Sequence, residues 1–590
     1  MTPKVDYKDE DIVKTECRFA VHVQAREGIN PDTHYVKEVL TLKDGRKVPR
    51  ITLIEDYLRP IWVTKPAFRN HKERKEFEDV DKLDLIMTTE SNLCKAVAAK
   101  LNVPHLARRR RDLMDIPYIY GGDITSTSLI KAKALAANKF VQSPYSVAVM
   151  DIETGIIDYN NGKILMITVT MAGKVYTGCL KSFVEKTGDY DSRVTKAMQT
   201  YLPQYDTWDC EFEVFDSELD MLKKAFLVAN DWAPDFLAFW NINFDVSEIL
   251  ACLDRNGVDP IDVMADMSIP RSRRYCYYKQ GLTKKVTASG RVKPVNPALQ
   301  WHTMFLTARF YMIDAMSVYK QKRMSKQEEP SYSLDAILAL ELKTSKLKFK
   351  EADMFKKKAW HAFMQHNYPI QYIIYNRYDC ISILDLDKKT RDMALDLPSA
   401  AGITDFSRYS SNPKKIADAL FMFAGKKKRI IGTVGKKVEK KEEPQVSAED
   451  DDDDDDEEED VSDYGVLSLK DWIITLQSHL LLPEGLKIFS DFPNLVTNLR
   501  GLVMDVDVTS SYPSCTQVGN VSKETTLCEI ISVAGKEEGL FREQNLGLIC
   551  GSVNALEYCN KMLELPDPAE MLSLVKAELK KEKELAEMYA

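Results

Sequence analysis

The sequence predicts a multidomain protein of the α/β and α+β classes, and three observations carry that expectation. At 590 residues, 44% hydrophobic and 29% charged, the chain is long enough for about three to five globular domains. Apolar runs of strand length alternate with segments of helical period. Several of those strands end in acids, which places carboxylates at the edge of an α/β core.

Residues 1–140 carry strand-like runs at 18–23 and 51–54, a helical stretch at 91–101 and four consecutive arginines, Arg108 to Arg111. Such a string is either a solvated face or a phosphate contact. From Tyr145 three strands follow in hairpin succession: SVAVMDIETG, then ILMITVTM after an Asn-Asn-Gly turn, then KVYTGCL. The segment Asp216 to Ala229 reads as a helix with an Asp cap, and FLAFW after it as a buried strand. Residues 271–301 interleave cations with Tyr275, Tyr277, Tyr278 and Trp301, a composition that suits a single nucleic-acid strand and equally an exposed basic hairpin. Residues 425–465 turn from a basic block to an acidic one and read as a disordered linker. A globular part resumes at 466–565, and 566–590 reads as a charged amphipathic helix introduced by Pro566 and Pro568.

Net charge is −9, from 81 basic against 90 acidic residues, but twelve of the acids form one run from Glu449 to Asp460. Without that run the balance is +3, which permits a polyanionic partner. Eleven scattered cysteines show no Cys-x-x-Cys pairing and point to buried thiols in a reducing compartment. No run approaches the ~20 apolar residues of a membrane helix. The opening MTPKVDYKDEDIVKTE is too charged for a secretory signal, so the expected location is the cytoplasm, with no membrane partner.

Asp151 and Glu153 stand two apart at a strand end, so both carboxylates leave the same face. Asp245 follows the strand FLAFW within Asn241-Ile-Asn243-Phe244-Asp245, and Tyr375 and Asp379 are one turn apart on a helix. Four carboxylates and a phenol suffice for two divalent ions about 4 Å apart, one serving an attacking water and the other a leaving oxygen. Oxygen donors without His or Cys favour Mg2+, with Mn2+ able to substitute.

In this order, Asp151-Ile-Glu153, Asn241 to Asp245 and Tyr375 to Asp379 resemble the three proofreading-exonuclease motifs of family B DNA polymerases, most closely the replicative polymerases of T-even-type bacteriophages. FDSELDML, IDAMSVYK at 313–320, SYSLDAI at 331–337 and PAFRNHKERK near 66 extend the resemblance. It implies an RNase H-like exonuclease domain over 141–395, with a mixed five-stranded sheet and flanking helices, and a return over 396–424 to the junction of the amino-terminal domain and palm. It also implies catalytic roles for Asp151, Glu153, Asp245, Tyr375 and Asp379. The second motif is one residue shorter here between Asn241 and Phe244, so both Asn241 and Asn243 stand as DNA contacts, beside Phe244, Arg273, Arg274 and Tyr277.

Downstream, Asp507-Val-Thr-Ser510-Ser511-Tyr512-Pro-Ser is similar to the first palm motif of the same family, with Ser511 in place of the usual leucine. The resemblance implies that Asp507 is a metal ligand and that Asp507, Ser510, Ser511 and Tyr512 bind nucleotide. The second palm aspartate turn and the fingers lysine pattern do not occur in the 590 residues. The chain alone is therefore not expected to synthesise DNA. The expectation is the proofreading part of a replicative polymerase, taking a primer-template and a single-stranded 3′ end, and taking dNTP only with a complementing carboxy-terminal chain. A sliding clamp and a single-strand-binding protein are candidate partners, and the bacterial cytoplasm is the expected site if the source is viral. A free-standing 3′-to-5′ exonuclease and a non-catalytic DNA-binding relic are the alternatives.

Overall fold

The computed structural model describes residues 7–72, 75–102, 116–138, 142–156, 162–286, 292–324 and 328–433. Arg108 to Arg111, the acidic run, Asp507, Ser510, Ser511, Tyr512 and the expected terminal helix lie outside the described residues.

The chain opens with β1 (Ile12–Val23), β2 (Thr33–Leu42) and β3 (Lys47–Glu55), an antiparallel sheet in that order. β4 (Arg59–Thr64) pairs on either side with β6 (Leu83–Thr88) and β7 (Ile119–Tyr120), while β5 (Phe77–Asp79) lies just before β6 in the chain. Two helices complete this part: α1 (Leu93–Leu101) and α2 (Ser126–Ala137), the latter capped by the Thr125 side chain, which accepts from Ser128 N.

A six-stranded sheet follows, built from β8 (Val147–Thr154), β9 (Ile164–Met171), β10 (Lys174–Leu180), then after α3 (Lys181–Val184) and α4 (Tyr190–Tyr201) from β11 (Asp209–Phe215). After α5 (Glu218–Trp232) come β12 (Phe236–Phe239) and α6 (Ile242–Arg255). A peripheral group of β13 (Cys276–Lys279), β14 (Lys284–Val286), β15 (Val292–Pro294) and β16 (Thr303–Leu306) precedes the last strand of the large sheet, β17 (Tyr311–Asp314). The large sheet runs β11-β10-β9-β8-β12-β17, with β8, β9 and β10 antiparallel to their neighbours in the hairpins and the outer pairings parallel.

The expected sheet of five strands thus has a sixth. β11, DCEFEVF, alternates acids with apolar residues at an exposed parallel edge, so its composition hides it among loops. A second difference concerns α5. Ser217, not Asp216, caps it by accepting from Asp220 N, and the helix runs on to Trp232.

Helices cover both faces of this sheet. On one, Met221, Leu222 and Phe226 of α5 and Ile249 of α6 bury Met150, Ile152, Ile167 and Val169. On the other lies α10 (Pro369–Thr390), reached through α7 (Ala315–Lys322), α8 (Leu334–Glu341) and α9 (Lys358–Asn367). α10 is buried around most of its circumference, with Ile373, Ile374 and Ile381 packed against Leu165 and Met166 and with Asn376, Arg377 and Asp379 buried beside them. Arg377, fully buried, donates to Thr177 Oγ1 at 2.9 Å and Glu211 O at 3.0 Å, pinning α10 across β10 and β11.

After α11 (Leu397–Ala401), α12 (Asn412–Lys426) brings Phe421 into a core with Leu83, Tyr120 and Ile124. Residues 425–426 and 429–431, placed within the expected linker, are therefore part of α12 and of a following strand. β18 (Arg429–Ile431) pairs antiparallel with β5, and Ile430 is buried. Two isoleucines suffice for this two-stranded pairing, and the lysines around them concealed that.

Candidate active site

Alternation along β8 brings Asp151 and Glu153 to the sheet face that α10 covers. Asn376 Nδ2 donates to Asp151 Oδ2 at 2.6 Å, and the Tyr372 hydroxyl donates to Glu153 Oε2 at 2.5 Å. Both donors belong to α10, as does Asp379. Helical spacing therefore sets three side chains against two strand carboxylates. Oxygens of Asp151, Glu153 and Asp379 lie within 4.8 Å of one another.

Asp245 arrives from elsewhere in the sheet. β12 pairs with β8 only as far as Val149. Beyond that point the chain turns through Asn241 at φ +70°, whose N–H is held by Asp314 Oδ1, and α6 begins at Ile242. Asp245 sits in the first turn of α6, 1% exposed, and accepts from Ile152 N at 3.2 Å. Its charge is one of those that raise the pKa of Asp151.

The cluster is electrostatically uncomfortable. Burial, then the charges of Asp245, Glu153 and Asp379, push Asp151 well above the usual carboxylate range. Burial pushes Glu153 up to about 7, and it also raises Asp245 and Asp379. Asp379 Oδ1 is buried with no hydrogen-bond partner among the described residues. Such a group demands a counter-charge. Four hard oxygen donors and an orphaned carboxylate oxygen fit a divalent cation, with Asp151, Glu153 and Asp379 to hold it and Asp245 beside them.

One cation of the chain already lies there, and sequence reasoning missed it. Lys346 Nζ donates to Asp379 Oδ2 at 2.6 Å and to Tyr375 Oη at 3.1 Å. Burial opposes its charge, yet Asp379 and Tyr375 hold its pKa well above the ordinary lysine value. Asp335, within the SYSLDAI string, accepts from Lys346 N at 2.8 Å and so fixes the loop that delivers it. That string was the available signal. Tyr372, Asn376 and His361, whose Nδ1 lies 2.8 Å from Tyr372 Oη, were likewise not singled out.

The expected DNA contacts divide. Phe244 is 47% exposed beside Asp245, and Asn243 Oδ1 accepts from Tyr278 Oη at 2.9 Å and Gln280 Nε2 at 3.3 Å, tying α6 to the segment around β13. Tyr277 stacks on Phe305 at 6.2 Å. Asn241 is placed at the turn into α6, where its backbone is used. Arg273 and Arg274 are both engaged in ion pairs within the chain. Arg273 pairs with Glu55 at 2.9 Å, and Arg274 with Asp262 at 3.5 Å and with the carbonyls of Ile269 and Met267.

No curated protein matches the chain. Residues 123–337, a little over a third of it, match the family model for DNA polymerase family B, exonuclease domain. The matched stretch contains Asp151, Glu153 and Asp245 and ends before Lys346, Tyr375 and Asp379, which join the cluster through the fold. The part of the chain that supplies the strand carboxylates is thus similar to the exonuclease domain of family B DNA polymerases.

Proposed function

We propose that the cluster is the centre of a 3′-to-5′ DNA exonuclease that removes nucleotides from a single-stranded terminus, and that it proofreads for a DNA-synthesising assembly. The observation that carries this is the convergence of Asp151, Glu153 and Asp379 within 4.8 Å, with Asp245 on the adjoining backbone. When bound, two Mg2+ ions, or Mn2+ in their place, supply an activated water and charge for the leaving 3′-oxygen. Asp151, Glu153 and Asp379 would hold the metal, with Glu153 and Asp379 toward the attacking water, and Asp245 would add a further carboxylate beside them.

The remaining residues orient. Asn376 and Tyr372 hold the Asp151 and Glu153 carboxylates by one oxygen each, leaving the second oxygen of each to a ligand. Lys346 bonds the Tyr375 oxygen, which leaves the phenol proton to aim the attacking water. Phe244 and Tyr277 offer exposed rings on which terminal bases stack.

The test is degradation of a 5′-labelled single-stranded oligonucleotide. Wild type is expected to give a Mg2+-dependent ladder shortened from the 3′ end. The Asp151→Asn/Glu153→Gln variant is expected to lose at least about 1,000-fold in rate, an interaction set worth about 4 kcal/mol in the transition state. Full activity in that variant, or shortening from the 5′ end, would sink the reading.

DNA synthesis is proposed to need a second chain that carries the missing palm and fingers motifs. Primer extension should then be absent with this chain alone and appear with the complementing chain, Asp507 being required. Extension by this chain unaided overturns that part and leaves the nuclease reading intact.

A further inference from the structure

Far along the chain from the acid cluster, β1 and β2 place His22 directly opposite His34 in register. Their rings are 4.9 Å apart between centroids. Asp32, in the turn before β2, is 1% exposed, and its Oδ1 lies 2.5 Å from His22 Nε2. One donor atom from each of His22, Asp32 and His34 lies within 4.8 Å of the others. His34 is fully buried, its Nε2 lies 2.7 Å from Ser126 Oγ, and its Nδ1 has no hydrogen-bond partner among the described residues.

We propose that His22, Asp32 and His34 form a second cation site, specific for a borderline transition ion of the zinc class. A histidine–aspartate hydrogen bond alone accounts for His22 and Asp32. It does not account for the buried Nδ1 of His34, which finds no partner among the described residues, since such groups are almost always satisfied. Two imidazoles and one carboxylate match Zn2+, Co2+ or Ni2+ and not Mg2+. Donors in a tetrahedral zinc site stand about 3.3 Å apart, so separations between 2.5 Å and 4.8 Å need change by at most about 1.5 Å.

The surroundings are built as the outer shell of such a site is built. The free nitrogen of a metal-binding histidine is normally fixed by a second hydrogen bond, and Ser126 Oγ at the start of α2 fills that role for His34. The second oxygen of Asp32 accepts from Ser91 N at 2.7 Å, and Ser91 Oγ accepts from Ala25 N, so both sides of the turn are anchored. His22, with its side chain 24% exposed, is the solvent-facing member of the three.

The test uses the full chain on the Asp151→Asn/Glu153→Gln background, so that the acid cluster does not compete. Chelator-stripped protein is dialysed against Zn2+, and metal content is read by mass spectrometry, with Co2+ visible absorption as a second readout. About one Zn2+ per chain is expected, with affinity at least tenfold weaker after His22→Ala at the rim or Asp32→Asn. Excess Mg2+ is not expected to displace it. Circular dichroism guards against misfolding, and a Zn2+-induced rise in melting temperature should be present in the background chain and absent in both variants. No bound zinc, or equal binding in background and variants, overturns the proposal and leaves a His22–Asp32 ion pair only.

Discussion

Asp151 and Glu153 were legible because two positions on a strand fix a shared face, and Tyr375 and Asp379 because four positions on a helix do the same. Lys346 was not, because nothing in LKTSKLKFK distinguishes it from the lysines around it; only Asp335 and Asp379 do, from eleven and thirty-three residues away. Replacing it tests its role. Lys346→Met should slow exonuclease turnover by about 100-fold, in the range of an orienting group, while the Mg2+ needed for half-activity stays level or falls. That concentration should not rise, because the variant removes a positive charge from beside the carboxylates. A second residue-scale prediction concerns pH. The folded pKa of Glu153 is about 7 against 4.5 for an ordinary glutamate. A raised acid contributes its full stability below about 4.5 and loses it as pH rises through about 7. Without divalent metal, wild type should therefore fall in stability relative to Glu153→Gln across that window, by on the order of 3 kcal/mol, and Mg2+ should remove the difference. Urea unfolding of both chains in chelator gives the measurement, and parallel pH curves would refute it.

At the scale of elements, strands with an apolar face and a helix with a clear stripe were visible from periodicity: β8, β9, β10, α5 and β12 all lie where the residues suggest, and α10, enclosed on most sides, lies where the Tyr375 and Asp379 spacing put a helix. The failures share a cause. β11 and β18 take their place from the strand beside them, and their own composition argues against burial. Gly178 of β10 shows how closely an unseen contact is set. A Cβ there would meet Met221 Cγ at 2.9 Å, so the missing side chain lets α5 settle on the sheet. Gly178→Val should cost about 1–3 kcal/mol of stability as α5 is forced outward. The acids lie on the opposite face, under α10, so exonuclease activity at 25 °C should remain within about twofold of wild type. Denaturant unfolding together with the nuclease assay reads both, and a loss of activity matching the loss of the acids themselves would show that α5 and the site are not separable.

Across the whole molecule, the joint between the amino-terminal sheet and the exonuclease sheet was beyond reach of the sequence, because its partners are about two hundred residues apart. Lys37 of β2 is fully buried and reaches into the turn between α5 and β12, donating to Ala233 O at 2.8 Å and Pro234 O at 2.5 Å and pairing with Asp235 at 3.2 Å. Arg18 of β1 approaches the same Asp235 at 3.5 Å, and Asp235 in turn accepts from Ser146 N, just before β8. The strand that bears Asp151 and Glu153 is thus tied at its start to the first domain. Burial lowers the pKa of Lys37 to about 8 despite Asp235, so the contact is a costly one that persists only while every partner is met. Removing one partner of such a group typically costs about 3–5 kcal/mol. Lys37→Ala leaves two carbonyls and part of a carboxylate without their donor, while Lys37→Met keeps the volume and loses only the charge and hydrogen bonds. Both should split a single thermal transition into two, the amino-terminal part melting first, with Met the milder. Calorimetry decides it: a single transition shifted as a whole would mean that the apolar contacts of Phe19, Val21 and Tyr35 with Phe236 and Tyr311, rather than the ion pair, hold the two sheets together.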